Sequence, residues 1–413
     1  MKKIVSFLII LTILLSFTSC YSKEKPLKIV SITDIHFTGS EYFSYEGTFL
    51  SANDSNGTGK QLKYIEPILD AFICQMLEER PDCIIISGDL ALDGAKVSHH
   101  ALAEKLSVLT ESGIVVLVTP GNHDITGYTF IFPSGEPETV ESVTAEEFKE
   151  IYSSFGYSGG ISYDPESLSY VYDTQKGVRI FMLDTNLHYG ATLGKISQKT
   201  INWIKQELIA CNNAGDIPIF AGHHSILSHN SRFDFGYKLA NGDAVEELIT
   251  EYGASLYLCG HLHTQHFAES EKLTDIVGGG FCVYPHRYGV IEITSEGWTY
   301  ESKTTDVEKY AENMGITDEN LLNYREYGYN FFYKNAYEQA KSAIYSVVED
   351  PELAEKYSIF SAKLNVAYFG GTFSDVDLSI AEEFLAASEN TGWGSYMKSV
   401  LKDTKDSIYC SRP

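Results

Sequence analysis

The stretch Val115–Tyr128, VVLVTPGNHDITGY, decides the fold. Its β-branched and aliphatic start has the pattern of a buried strand. The run stops at Pro120, and Gly121-Asn122-His123-Asp124 follows, with an amide, an imidazole and a carboxylate crowded onto one turn. A turn accounts for the glycine and the asparagine. It does not account for the histidine.

The same arrangement recurs on either side. LKIVSITDIHF ends in Asp34-Ile35-His36, and CIIISGDL in Gly88-Asp89. Further on, IPIFAGHH ends in Gly222-His223-His224 and SLYLCGHLH in Gly260-His261-Leu262-His263. The intervening stretches YIEPILDAFICQMLEER and HHALAEKLSVLTESG carry apolar residues at helical spacing. Strands that are apolar throughout, alternating with helices, predict an α/β fold whose sheet is covered on both faces. In such sheets ligands bind at the C-terminal ends of the strands, where all five polar blocks lie. Six of the 12 histidines fall in these blocks.

The residue types suit metal ions. Carboxylate and imidazole together bind borderline ions such as Mn, Fe, Zn and Ni. In Asp-x-His and His-x-His, alternate side chains of an extended segment point to one side and reach the same site. A carboxylate shared by two ions holds them about 3.5–4 Å apart, a spacing suited to in-line displacement at phosphorus. A glycine in four of the five blocks, at Gly88, Gly121, Gly222 and Gly260, lets the backbone turn tightly. Each block alone has an ordinary structural explanation; five in succession, each after an apolar strand, do not.

The order D-x-H, G-D, G-N-H-D, H-H, G-H-x-H resembles the calcineurin-like metallophosphoesterase superfamily, over roughly Lys28 to Thr299. The resemblance implies a four-layer fold, a two-sheet β-sandwich flanked by helices. It implies one ion held by Asp34, His36, Asp89 and His263, and a second held by Asp89, Asn122, His223 and His261. A hydroxide between the ions would attack phosphorus in line. His123 would touch the substrate phosphate or leaving group as the catalytic side chain. Asp124, His224 and Arg287 would orient neighbours or reach the substrate, with a structural salt bridge the plainer role for Arg287.

Two departures narrow the activity. Purple acid phosphatases have a tyrosine three residues after the bridging aspartate, where this chain has Leu92. Phosphoprotein phosphatases have an Asp-Arg pair after G-D, where this chain runs Leu90-Ala91-Leu92-Asp93-Gly94. With SGDLALDG and FMLDTN, the chain looks most like bacterial class III cyclic-nucleotide phosphodiesterases. The expected activity is hydrolysis of a small phosphodiester, cyclic nucleotides first. The alternatives are a nucleotidase or other monoesterase, or a non-catalytic ligand-binding surface protein on the same fold.

Composition fits this reading. The 413-residue chain is 44% hydrophobic and carries a formal net charge of −25, which disfavours a nucleic-acid polymer as partner. A small phosphorylated substrate can bind where metal ions supply positive charge. Residues 1–19, with Lys2 and Lys3 before an apolar run to Phe17, have the pattern of an export signal. Cys20 after Thr18-Ser19 resembles a bacterial lipidation site, which would place the protein on the outer face of a membrane through a lipid anchor. Residues 20–27 form a tether, 28–299 the catalytic domain and 300–413 a helical region. There Asp350-Pro351 marks a helix start and Gly370-Gly371 its end. The remaining six cysteines show no CxxC spacing, so neither a zinc knuckle nor a disulfide framework is expected.

Overall fold

The computed structural model describes residues 25–55 and 59–413. The expected signal peptide and the lipidation site at Cys20 lie outside the described residues.

In chain order the strands are β1 (Leu27–Ile32), β2 (Cys83–Ser87), β3 (Val115–Thr119), β4 (Thr129–Ile131) and β5 (Glu138–Val140). Next come β6 (Ser162–Tyr163), β7 (Tyr170–Asp173), β8 (Val178–Leu183), β9 (Ile217–Gly222) and β10 (Leu256–Cys259). Last are β11 (His266–Glu269), β12 (Thr274–Val277), β13 (Arg287–Thr294), β14 (Gly297–Thr304) and β15 (Tyr409–Arg412). One sheet runs in the order β15-β14-β13-β1-β2-β3, a second in the order β11-β12-β10-β9-β8-β7-β6, and β4 pairs with β5. Strands β1, β2 and β3 are parallel, as are β8, β9, β10 and β12.

Side-chain alternation explains why the strands are apolar throughout. In the second sheet Ile180, Met182, Ile219, Ala221 and Leu258 belong to the core shared with the first sheet. Their neighbours Phe181, Leu183, Phe220 and Tyr257 face the other way, into a cluster with Trp203, Leu208 and Leu248 of helices Gln198–Ala214 and Gly242–Glu251. The first sheet is backed by helices Ile65–Glu79 and Lys96–Glu111 through Leu69, Phe72, Leu102 and Leu106. The result is the expected helix–sheet–sheet–helix layering, with both sheets buried on both faces.

The C-terminal part is mostly helical and packed onto this body. Asp350 caps helix Pro351–Gly370, accepting from the Glu352 N–H at 2.9 Å, and Gly371 ends it with a left-handed φ of 65°. It is not wholly helical: β15 returns to the first sheet and pairs with β14. Position 299, where the sequence suggests the catalytic domain ends, falls inside β14.

Candidate metal centre

The C-terminal ends of β1, β2, β3, β9 and β10 converge, and the side chains following them meet. Ligand atoms of Asp34, His36, Asp89 and His263 lie within 4.8 Å of one another, as do those of Asp89, His223 and His261. Asp89 belongs to both groups. Its Oδ2 lies 3.5 Å from His36 Nε2 and its Oδ1 3.4 Å from His223 Nε2, so its two oxygens serve opposite sides. On the first side His263 Nε2 is 3.3 Å from Asp34 Oδ1 and 3.2 Å from His36 Nε2. On the second, Asn122 Oδ1 is 3.1 Å from His223 Nε2. Cys282 approaches His36 and His263 as a further donor on the first side.

The backbone is bent to achieve this. Asp34, His36, Asp89, His261 and His263 all have left-handed φ, between 47° and 69°. Such residues cost about 1–3 kcal/mol each and persist where surroundings over-determine them. Here the turns brace one another: Asp34 N–H donates to the Gly88 carbonyl at 3.0 Å, His36 N–H to that of Asp89 at 2.9 Å, and Gly260 N–H to that of His223 at 3.0 Å. Two glycines are needed for space. A Cβ on Gly121 would overlap the Asp89 main-chain nitrogen and Oδ1, and one on Gly260 would overlap Thr33 Oγ1.

Two of the imidazoles, those of His223 and His261, are oriented by their other nitrogen. His223 Nδ1 donates to the Ser87 carbonyl at 3.0 Å, leaving Nε2 facing Asp89 and Asn122. His261 Nε2 donates to the Gly236 carbonyl at 3.0 Å, leaving Nδ1 for the cluster. Such partners fix tautomer and ring orientation at metal sites. Burial favours the neutral carboxyl of Asp89, but His223 and the other imidazoles beside it outweigh this and hold its pKa well below the ordinary value. Burial likewise opposes charge on His223, yet the Asp89 carboxylate raises its pKa to about 9. Burial, then Lys60 nearby, keeps His36 neutral, with its pKa well down. A carboxylate among imidazoles is a donor set that fits transition-metal cations, and a cation at His223 Nε2 would take the place of the proton that Asp89 favours there.

The remaining candidates separate. His123 sits beside the cluster, its ring 4.9 Å from that of His36, and its Nδ1 lies 2.8 Å from Asp93 Oδ1. Asp124 is fully buried and holds the turn: it accepts from the N–H groups of Gly121 (2.7 Å), Leu90 (2.9 Å) and Ala91 (3.0 Å). His224 has both ring nitrogens engaged, at 2.8 Å to Thr185 Oγ1 and 2.9 Å to the Thr192 carbonyl, and packs against the rings of His223 and His261. Arg287 forms no salt bridge among the described residues, contrary to the plainer expectation for it. Its Nε donates to the Gly370 carbonyl at 2.6 Å and its Nη1 approaches Ser302 at 3.4 Å.

Two side chains carry weight that the sequence reading did not give them. Asp93 engages His123. Lys60 brings its ammonium to 3.4 Å from His36 Nδ1, and has no carboxylate partner among the described residues.

The fold and the paired donor sets define the class, a metal-dependent phosphoric ester hydrolase. The calcineurin-like phosphoesterase profile matches residues 27–265, and the chain belongs to that family. The profile of the C-terminal domain of cyclic nucleotide phosphodiesterase matches residues 306–407. The chain is 22% identical, over 60% of its length and 74% of the relative's, to a glycerophosphodiester phosphodiesterase, GpdQ, of Enterobacter lignolyticus. It is 23% identical, over 62% of its length and 80% of the relative's, to a probable cyclic nucleotide phosphodiesterase of Fibrobacter succinogenes. Among solved structures, a dimetal phosphatase from Danio rerio superposes with a TM-score of 0.51 at 13% identity, covering 68% of this chain and 97% of that one.

Proposed function

We propose that the protein is a dinuclear phosphodiesterase acting on a small phosphodiester, with cyclic nucleotides the first candidates. The observation that carries the metal reading is Asp89, whose two oxygens face two separate donor groups. The substrate reading is supported by the match of residues 306–407 to a cyclic nucleotide phosphodiesterase domain and by the diester activities in the names of both relatives.

In this reading Asp34, His36, Asp89 and His263 hold one cation, and Asp89, Asn122, His223 and His261 the other. Two such cations supply Lewis-acid polarisation of the phosphoryl oxygens and a water of lowered pKa. Ser87 and Gly236 keep the lone pairs of His223 and His261 turned inward. His123 protonates the leaving oxygen. Burial opposes its charged form, but the Asp89 charge and the bond to Asp93 overcome this and raise its pKa, so it retains a proton to give. With Nδ1 committed to Asp93, Nε2 is the nitrogen free to donate. Lys60 adds a positive charge for a substrate phosphate in an otherwise acidic protein.

The test is the full chain stripped with chelator, reloaded with Mn, Zn or Fe, and assayed on cyclic nucleotides, glycerophosphodiesters and monoesters. Metal-restored turnover of diesters is expected. Turnover of monoesters alone would replace the diester reading, and full activity in metal-free protein would end the dinuclear one. We also propose export and lipid attachment at Cys20. A short acylated tether leaves the catalytic body in water, so Cys20→Ser should move the protein from the membrane to the soluble fraction with kcat unchanged. Continued membrane fractionation after signal cleavage would refute the anchor.

A further inference from the structure

Outside this centre, His229, Cys259 and Asp275 form another donor cluster. All three are buried, and their ligand atoms lie within 4.8 Å of one another. Cys259 ends β10 and Asp275 sits on the neighbouring β12, on the same face of the sheet. His229 comes from the loop that follows β9. Asp275 is already fixed: its Oδ2 accepts from the N–H groups of Ile226 and Leu227, each at 2.7 Å. Its Oδ1 therefore points into the cluster, 3.1 Å from Cys259 Sγ and 3.5 Å from His229 Nε2. The last separation is too long for a good hydrogen bond, and His229 Nε2 is a buried nitrogen with no hydrogen-bond partner.

We propose that His229 Nε2, Cys259 Sγ and Asp275 Oδ1 bind a zinc ion at a site separate from the dinuclear centre.

Three observations carry this. Tetrahedral zinc, with bonds of about 2.0–2.3 Å to nitrogen, oxygen and sulfur, places its donors roughly 3.3–3.7 Å apart. The 3.5 Å from His229 Nε2 to Asp275 Oδ1 falls in that range, while the 3.1 Å from Cys259 Sγ to Asp275 Oδ1, here a thiol–carboxylate hydrogen bond, would lengthen by about 0.4 Å on binding. The charges also balance. Zinc(II) with one thiolate, one carboxylate and a neutral imidazole is electrically neutral, which suits a buried site. As the Zn–S bond forms, Cys259 releases its thiol proton to solvent.

Proton counting gives the third. His229 Nδ1 lies 3.0 Å from His266 Nδ1, and His266 Nε2 lies 3.6 Å from Asp403 Oδ2. At 3.5 and 3.6 Å the contacts to Asp275 and Asp403 are longer than good hydrogen bonds, so the pair needs one proton, shared between the two Nδ1 atoms. With that proton on His229 Nδ1, His229 Nε2 holds a lone pair against the Asp275 carboxylate, a repulsion that a cation between them would relieve. His229 Nδ1–H then donates to His266, and the proton on His266 Nε2 faces Asp403. A zinc-bound histidine is usually oriented in this way, through its other nitrogen. The three protein donors leave a fourth position, which a water would fill.

The site would pin the loop running from Ser225 through Gly236, whose carbonyl orients His261. It would also tie that loop, through His266, to Asp403 in the C-terminal segment.

The site stands apart from the dinuclear reading and is tested apart from it. The full chain is purified, its metal counted by mass spectrometry, and a cobalt-substituted sample examined for thiolate-to-cobalt charge transfer in the near ultraviolet. Wild type should show the band and hold one more metal equivalent than Cys259→Ser, which should lack the band. Cys282→Ser, near the other centre, should keep it. So should Asp89→Asn, which removes metal from the dinuclear centre; if that variant loses none, the dinuclear reading fails while this site stands. His229→Gln, with folding checked by circular dichroism, serves as the second ligand variant should Cys259→Ser fail to fold. Equal metal content in wild type and either ligand variant, or a band unaffected by both, overturns the proposal.

Discussion

The His123 imidazole is engaged by Asp93, with 2.8 Å between Nδ1 and Oδ1. The same histidine gives its main-chain N–H to Asp89 Oδ1 at 2.9 Å. The side chain is thus set beside the cluster without being one of its donors. His123→Ala should keep full metal content and lose about 10²–10⁴-fold in kcat. A nitrophenyl ester, whose leaving group needs no proton, should lose much less. Asp93→Asn should show the same leaving-group pattern at roughly 10–100-fold, the range for loss of an orienting partner. Rates on good and poor leaving groups, alongside metal analysis, check both. Metal loss in His123→Ala would put that residue among the donors.

Asn122, one residue earlier, should behave differently. Its amide oxygen lies 3.1 Å from His223 Nε2, on the inner side of the turn. Asn122→Ala should therefore weaken the second cation. Its activity should fall at low metal and recover as metal is raised, with the effect equal on good and poor leaving groups. Metal titration of the rate reads this directly, and a defect indifferent to metal concentration would be the contrary result.

The parts of the site that lie on strand ends could be read in the sequence, because an apolar run fixes where a strand stops and a polar block then has one place to go. The five polar blocks are legible this way; the family resemblance singles out Asp34, His36, Asp89, Asn122, His223, His261 and His263 within them, and the structure brings these side chains together. What could not be read depends on chain segments crossing. Asp93 follows Asp89 as an ordinary loop carboxylate, and only the fold of the Asp89–Gly94 turn against the Gly121–Asp124 turn puts it on His123. Lys60 lies in a polar stretch without periodicity, and reaches His36 because that stretch meets the Val283 segment in an isolated bridge. Strand β15 is four residues with alternating exposure at a sheet edge, too short to differ in pattern from a coil. Arg287 followed an apolar, glycine-rich run near the candidate centre, but its direction was set by a helix end eighty-three residues away.

That contact makes Arg287 a test of structure against substrate binding. Its guanidinium is mostly buried and donates to the Gly370 carbonyl at the end of helix Pro351–Gly370. Arg287→Met keeps much of the apolar stem but leaves that carbonyl unpaired, at a cost of about 1–3 kcal/mol. The midpoint of urea unfolding should fall accordingly, with KM unchanged in the folded fraction. A raised KM at unchanged stability would instead return Arg287 to the substrate.

His286 makes stability depend on pH in a direction that can be worked out. The residue is buried with a left-handed φ of 57°. Its Nδ1 donates to the Phe281 carbonyl at 2.8 Å, and its Nε2 lies 3.2 Å from the Tyr324 hydroxyl, which donates to Gln61 Oε1, so the segment before β13 is tied to helix Tyr324–Ile344. The bond to Phe281 survives protonation and favours it; burial is what keeps the ring neutral. Burial lowers its pKa from 6.5 to about 4. A histidine with a depressed pKa in the folded state binds its proton first in the unfolded state, so stability is lost as pH falls from the ordinary value toward the folded one. At pH 5 the loss from this residue is about 2 kcal/mol, from 1.36 kcal/mol per pKa unit. Other groups, including the metal donors, also titrate in this range, so the comparison is a difference of differences. His286→Asn accepts the left-handed backbone and does not titrate. It should be less stable than wild type at pH 7, because the contacts to Phe281 and Tyr324 are weakened. Its further loss between pH 7 and pH 5 should be smaller than that of wild type by about 2 kcal/mol. Urea unfolding of both proteins at the two pH values gives this number. Parallel losses in the two proteins would show that burial does not hold the His286 ring neutral.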